Sequence, residues 1–146
     1  MYTEQLSQAL AIPATELDPV SQGVATVTSG GIDMSKWRRC MFVLMVGAVG
    51  GAGTVDAKLQ ESATSGGTYT DISGGGITQV TTSNKIVTLE MRAGMMTKQW
   101  CRLSVTVGGN AVLIAAVGHA GEAIHKPGGT AVGGQDIAAV AQRLVI

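Results

Sequence analysis

The fold of this chain is decided by the stretch Thr54–Ser73, which reads TVDAKLQESATSGGTYTDIS. In its first half Val55, Ala57 and Leu59 alternate with polar side chains, which is the two-residue period of a strand with one buried and one wet face. A turn rich in serine and glycine follows, and a short strand of threonine, tyrosine and isoleucine comes after it. The stretch therefore predicts a β-hairpin of the kind that builds antiparallel sheets.

Short apolar segments separated by glycine turns continue on both sides of this hairpin. Segments 85–92 and 98–107 alternate between apolar and polar residues, whereas 38–46 and 111–117 are apolar on both faces. A strand that is apolar on both faces is either central to the core or covered by another subunit. Gly74–Gly76 predicts a turn before a short edge strand at 77–81. About eight strands, with turns roughly every ten residues, predict an all-β fold, an antiparallel β-sandwich or jelly roll.

The length of 146 residues fits one domain with arms at both ends. Residues 1–21 have little sustained period and are expected to form an extended N-terminal arm. Residues 22–117 are expected to form the sandwich core, and residues 118–146 a C-terminal arm with a final strand. Within that arm the segment 136–146 fits two structures, because its apolar spacing suits a helix and its last three residues suit a strand.

The charge balance argues against a nucleic-acid partner. Ten basic residues match ten acidic ones, and the cluster Lys36–Arg39 is better explained as a solvated strand start than as a phosphate-binding patch. A neutral surface of low charge density is poorly soluble alone, which suggests a protein that works in an assembly. The N-terminus has no pattern of a signal peptide, and the uncharged run 40–55 is too short to span a bilayer, so no membrane partner is expected.

The reactive residues do not converge on a catalytic or metal site. Cys40 and Cys101 lie among apolar strand residues and are expected to be unbridged core thiols. His119 and Glu122 have a spacing found in some metal sites, but no second histidine shares it. The outward carboxylates Asp56 and Glu90 fit a glycosidase pair only in principle, since such strand carboxylates are usually solvated or paired. We expect no enzyme activity, no metal and no cofactor.

Residues from about 22 to 146 resemble the small β-sandwich proteins that tailed bacteriophages add to their heads. The resemblance rests on Ile32–Arg39 before the apolar strand Met41–Gly47, on the hairpin described above, and on Val87–Glu90 and Trp100–Thr106 before an alanine-rich strand. It is a diffuse sandwich pattern without a diagnostic motif, and it carries no functional residues across. It implies a cement, decoration or head-completion component without enzymatic activity, often trimeric.

The expected function is therefore that of a structural virion protein on the capsid surface, assembled in the host cytoplasm. Its expected partners are the major capsid protein and further copies of itself, in a trimer that terminal arms and an apolar strand face would hold together. The alternative is a carbohydrate- or receptor-binding module of a phage tail or head fibre, which would need exposed aromatic residues. The candidate interface residues are Pro13, Pro19, Trp37, Trp100, Val112, Leu113, Ile114 and Ala116.

Overall fold

The computed structural model describes residues 10–124, which form ten β-strands and one short 3-10 turn. The strands lie in two antiparallel sheets of five strands each, so the prediction of a β-sandwich is confirmed. The strands are β1 (Leu10–Ala11), β2 (Leu17–Gln22), β3 (Ala25–Thr28), β4 (Ile32–Asp33), β5 (Trp37–Val49), β6 (Thr54–Ser62), β7 (Thr70–Gly76), β8 (Lys85–Arg92), β9 (Trp100–Gly108) and β10 (Val112–Ala123), with the 3-10 turn at Ala93–Met95.

The first sheet is built around the two longest strands, β5 and β10. Their register pairs Ala116 with Leu44, and Leu44 pairs in turn with Val87 of β8 at one edge. At the other edge β1 and β2 lie one after the other along β10. The order of this sheet is therefore β1 and β2, then β10, β5 and β8.

The second sheet contains the hairpin from which the fold was predicted. Strand β6 pairs with β7 on one side and with β9 on the other, and β3 and β4 lie beyond β9. Val55, Ala57 and Leu59 of β6 all point inward and are buried, as their alternation predicts. The polar residues between them form part of the outer face of the sheet.

The hydrophobic core lies between the two sheets and is built largely from aliphatic side chains. Phe42, Leu44, Leu59 and Leu103 are among the largest fully buried residues. Burial of this surface stabilises the fold by about 25 cal/mol for each Å2 of apolar area removed from water. Because both inner faces are aliphatic, the core contains few polar groups, and among the described residues no buried side-chain nitrogen or oxygen lacks a hydrogen-bond partner.

The described ends of the chain belong to the first sheet rather than to loose arms. Residues 10–21 were expected in an extended arm, but they supply β1 and most of β2. Strand β10 does not stop at Val117 but continues to Ala123, because the 13-residue β5 gives it a partner as far as Trp37. The parts of the predicted arms at 1–9 and 125–146, including the segment 136–146, lie outside the described residues.

The predicted glycine turn at Gly74–Gly76 is also different in the structure. These residues end β7, with Gly74 at a positive φ of 75°. The expected edge strand at 77–81 is reduced to a bridge between Val80 and Val55, supported by a hydrogen bond from the Ile77 N–H to the Ala57 carbonyl. The register of β6 with β7 shifts between the pairs Gln60–Asp71 and Lys58–Gly76, so the glycines form an irregularity within β7 rather than a turn after it.

Candidate functional site

The outer face of the second sheet is covered by paired polar side chains. Arg102 donates through Nε and Nη2 to Gln60 Oε1 at 3.0 and 2.9 Å, and Gln60 donates to Asp71 at 2.7 Å. Lys58 Nζ lies 2.6 Å from the same carboxylate, and these bonds from Lys58 and Gln60 lower the pKa of Asp71. This face is therefore a hydrated polar surface whose groups are already satisfied by one another.

The outer face of the first sheet is mostly apolar by contrast, although it also includes Thr88, Glu90 and His119. Strand register places Ala115, Met45 and Ile86 side by side across β10, β5 and β8, and the next row contains Val117, Val43 and Thr88. Ile86 is 71% exposed and Met45 is 47% exposed. We call this surface the apolar face, and its residues are Met41, Val43, Met45, Ile86, Leu113, Ala115 and Val117.

A glycine allows one of these side chains to lie flat on the sheet. A Cβ atom at Gly47 would be 3.0 Å from the Cβ of Leu113, so Leu113 occupies the space above that glycine. Leu113 is still 45% exposed. Contiguous exposed apolar patches of more than a few hundred Å2 are rare on monomeric soluble proteins and mark interaction sites. The apolar face is therefore the candidate functional site.

An arginine cluster borders the apolar face at the end where β10 finishes. Arg39 and Arg92 are direct cross-strand neighbours, and with Arg38 and Glu122 they line an open cleft of about 470 Å3. Arg39 Nε lies 3.0 Å from Glu122 Oε1. Glu122 has a φ of 54°, in the left-handed region that favours glycine, so its backbone is strained where its carboxylate meets the guanidinium.

The predicted interface residues divide into two groups in the structure. Val112, Ile114, Ala116 and Trp37 point inward and are at most 4% exposed, so the second sheet of the same chain covers them. These four residues are therefore core residues rather than interface residues. A strand that is apolar on both faces packs one of those faces in the core of its own chain. The row of β10 that remains open to a partner contains Leu113, Ala115 and Val117.

Of the other predicted interface residues, Leu113 lies on the apolar face, whereas Trp100 belongs to the second sheet and Pro13 and Pro19 lie at the β1 and β2 edge of the first sheet. Trp100 and Pro13 are half-buried, and Pro19 is exposed on the edge strand β2. Sequence reasoning missed Ile86, which is the most exposed residue of the apolar face. The sequence signal for Ile86 was weak, because the alternation of residues along β8 shows only that its side chain points outward. Its place in an apolar row depends on the register that pairs it with Met45.

Between residues 10 and 124 the tyrosine and tryptophan side chains are each at least partly covered. The guanidinium carbon of Arg102 lies 3.9 Å from the centroid of the Tyr69 ring and covers one side of it, while the Tyr69 hydroxyl donates to the Ser65 carbonyl. Trp37 is buried in the core. Trp100 is half-buried, and a Cβ at Gly31 would meet its ring at 3.2 Å.

The groups considered for chemistry are not brought together. Asp56 and Glu90 lie on the outer faces of opposite sheets, where Asp56 accepts a hydrogen bond from Gln79 and Glu90 lies 3.7 Å from Arg39. His119 is half-buried on the first sheet, and this burial lowers its pKa. Residues 10–124 contain no group of three histidine, cysteine or acidic side chains arranged to hold a metal ion.

No protein-family model and no curated protein sequence matches this chain. Between residues 10 and 124 no helix has the length and hydrophobicity required to cross a bilayer. The candidate site is therefore defined by its own geometry: a sandwich with one polar and one apolar outer face, and an arginine cluster at one end of the apolar face.

Proposed function

We propose that this protein is a structural component of a virus particle, a cement or decoration protein that coats the head shell of a tailed phage. In this function it associates with copies of itself, in a trimer, and the assembled copies bind the major capsid protein. The observation that carries the proposal is the apolar face, together with the polar character of the opposite face. The resemblance of residues 22–146 to phage head β-sandwich proteins gives the proposal its setting.

The contrast between the two outer faces supports association through one side. Burying Ile86, Met45 and Leu113 removes apolar surface from water at about 25 cal/mol per Å2, which favours association once its entropic cost is exceeded. Covering the network of Arg102, Gln60 and Asp71 would give no comparable gain in free energy, because its polar groups are already bonded to one another. The alternative of a carbohydrate-binding module has less support, since Arg102 covers one side of the Tyr69 ring and Trp37 is buried in the core.

The proposal is tested by co-sedimentation of the purified protein with empty head shells. The variant Ile86→Glu places a charge at the most exposed position of the apolar face. We expect it to lose self-association and at least tenfold in the amount that sediments with shells. The matched control is Thr28→Glu, an exposed strand position on the outer face of the second sheet, which should behave as the wild type. Wild-type protein that ignores shells, or equal losses in both variants, would contradict the proposal.

A further inference from the structure

We propose that the apolar face is covered by residues 136–146 of a neighbouring copy, the segment DIAAVAQRLVI. This inference rests on the proposed function, which places many copies side by side, and it names what occupies their contact surface. The observations that carry it are the chemistry of the segment, the length of chain that precedes it, and the place where β10 ends.

The segment matches the apolar face in hydrophobicity. Eight of its eleven residues are alanine, valine, isoleucine or leucine, and Ile137, Val140 and Leu144 repeat at a spacing that gathers them on one side of a helix. The face offers exposed apolar side chains on three adjacent strands, and the most exposed one on each strand is Leu113, Met45 or Ile86. Both partners would otherwise present these side chains to water.

The charges at the start of the segment match the charges at the end of the face. The segment begins with Asp136, and the apolar face is bordered by Arg39 and Arg92. Arg39 is already paired with Glu122 and Glu90, whereas within residues 10–124 Arg92 makes no ion pair. With Asp136 at Arg92, the segment first crosses the row of His119, Met41 and Glu90, in which Glu90 lies 3.7 Å from Arg39. The apolar residues that follow are then directed over the rows of Val43 and Met45.

The chain between the end of β10 and the segment is long enough to reach across an apolar face. Strand β10 ends at Ala123, at the arginine end of the sheet, and residues 125–135 are rich in glycine with one proline. Such a stretch spans up to about 36 Å when extended. The rows from Arg39 to Met45 cover about 20 Å along β5, at roughly 3.3 Å for each residue. The linker is therefore long enough to lay the segment along an apolar face. We assign the segment to the face of an adjacent copy, so that exchange of segments links the copies.

A disulfide trap in the full chain tests this placement. We mix two single variants, Leu113→Cys and Val140→Cys, and oxidise them with copper phenanthroline. The expected product is a covalent dimer of the two variants on a non-reducing gel. The pairing of Thr28→Cys with Val140→Cys is the control and should give no such dimer, because Thr28 lies on the outer face of the second sheet.

Substitutions in the segment give a second, independent readout. We expect Val140→Glu with Leu144→Glu to convert the oligomer to monomer and to increase the binding of a hydrophobic dye, while Gln135→Glu, just outside the segment, changes neither. Arg92→Glu should weaken self-association, and Asp136→Arg in the same chain should restore it.

Two results would overturn the inference. One is that the mixed single variants give no dimer, while a double variant with Leu113→Cys and Val140→Cys in one chain forms the disulfide within single chains. The other is an oligomer that survives Val140→Glu with Leu144→Glu, since the sandwich faces would then pack directly on each other. Either result leaves the proposed function to be judged separately, by the sedimentation of the wild-type protein with shells.

Discussion

The hydroxyl of Thr15 is hydrogen-bonded to both backbone groups of Gly118, although the two residues are 103 positions apart in the chain. The hydroxyl oxygen accepts a hydrogen bond from the Gly118 N–H at 2.8 Å. The hydroxyl proton is shared between the Gly118 carbonyl and the Pro13 carbonyl, each at 3.1 Å. The contact lies between the segments of β10 that pair with β1 and β2. One side chain thus replaces the backbone partner that the ladder lacks at this point.

Thr15→Val should destabilise the protein by about 1–3 kcal/mol. Valine has nearly the same shape as threonine but leaves the buried N–H and carbonyl of Gly118 without a partner, and an unsatisfied buried group has a cost in this range. Thr15→Ser keeps the hydroxyl and should retain most of the stability. The measurement is the free energy of unfolding in urea, and equal values for the valine and serine variants would show that the hydroxyl has no such role.

Gly118→Ala should destabilise the protein through steric conflict alone. A Cβ at this position would lie 2.6 Å from Thr15 Oγ1 and 2.8 Å from Cε1 of Phe42. Both neighbours are fully buried, so neither moves aside freely, and we expect a cost of about 1–3 kcal/mol from overpacking. Gly51→Ala, at a position with open space around it, is the control in the same thermal unfolding measurement. An equal effect at both glycines would refute the explanation.

Glu61 should make the free energy of unfolding depend on pH under acidic conditions. Burial raises the pKa of this carboxyl, but hydrogen bonds from the hydroxyl and N–H of Thr97 and from the N–H of Lys98 outweigh it, so the pKa is lowered. A lowered pKa in the folded state gives stability that is complete above the ordinary glutamate pKa and is lost as the pH falls through the folded value.

The test compares Glu61→Gln with the wild type across that range of pH. Glutamine keeps the shape of the side chain but has no carboxyl to protonate, so its unfolding free energy should fall less steeply below about pH 4.5. The lowered pKa values of Asp33 and Asp71 act in both proteins and cancel in the comparison. Parallel curves for the two proteins would be the contrary result.

Cys40 and Cys101 should remain thiols that react only when the protein unfolds. Both are free and buried, on opposite sheets of the core. Hydrogen bonding to Cys40 and burial together raise the pKa of the Cys101 thiol, which keeps it protonated and unreactive. We expect a thiol reagent to label neither residue in the native protein and both in denaturant. Rapid labelling of the native protein, or a loss of stability on adding reductant, would contradict this.

The alternation of residues along single strands was sufficient to predict the two layers and their inner faces. Leu59, Leu89 and Leu103 point into the core, and Thr106 points outward, as their positions within β6, β8 and β9 predict. Alternation depends only on the neighbouring residues in the chain, and for that reason it is visible in the sequence.

Features that depend on register between distant strands could not be predicted in the same way. The row of Ala115, Met45 and Ile86 exists because three strands align, and the contact of Thr15 with Gly118 joins two regions of unremarkable local pattern. The candidate site was therefore predicted only in part: Leu113 was identified, Ile86 was missed, and the inward residues Ile114 and Trp37 were included in error.

If the protein coats a shell as proposed, the difference between its two outer faces would also limit how thick that coat can grow. Copies that associate through the apolar face all present the same opposite side, where Lys58, Gln60 and Asp71 are bonded to one another. A further copy finds no apolar surface there to cover, so a second layer has no comparable driving force. A coat built in this way would be self-limiting at one molecule in depth and would have a fixed outside.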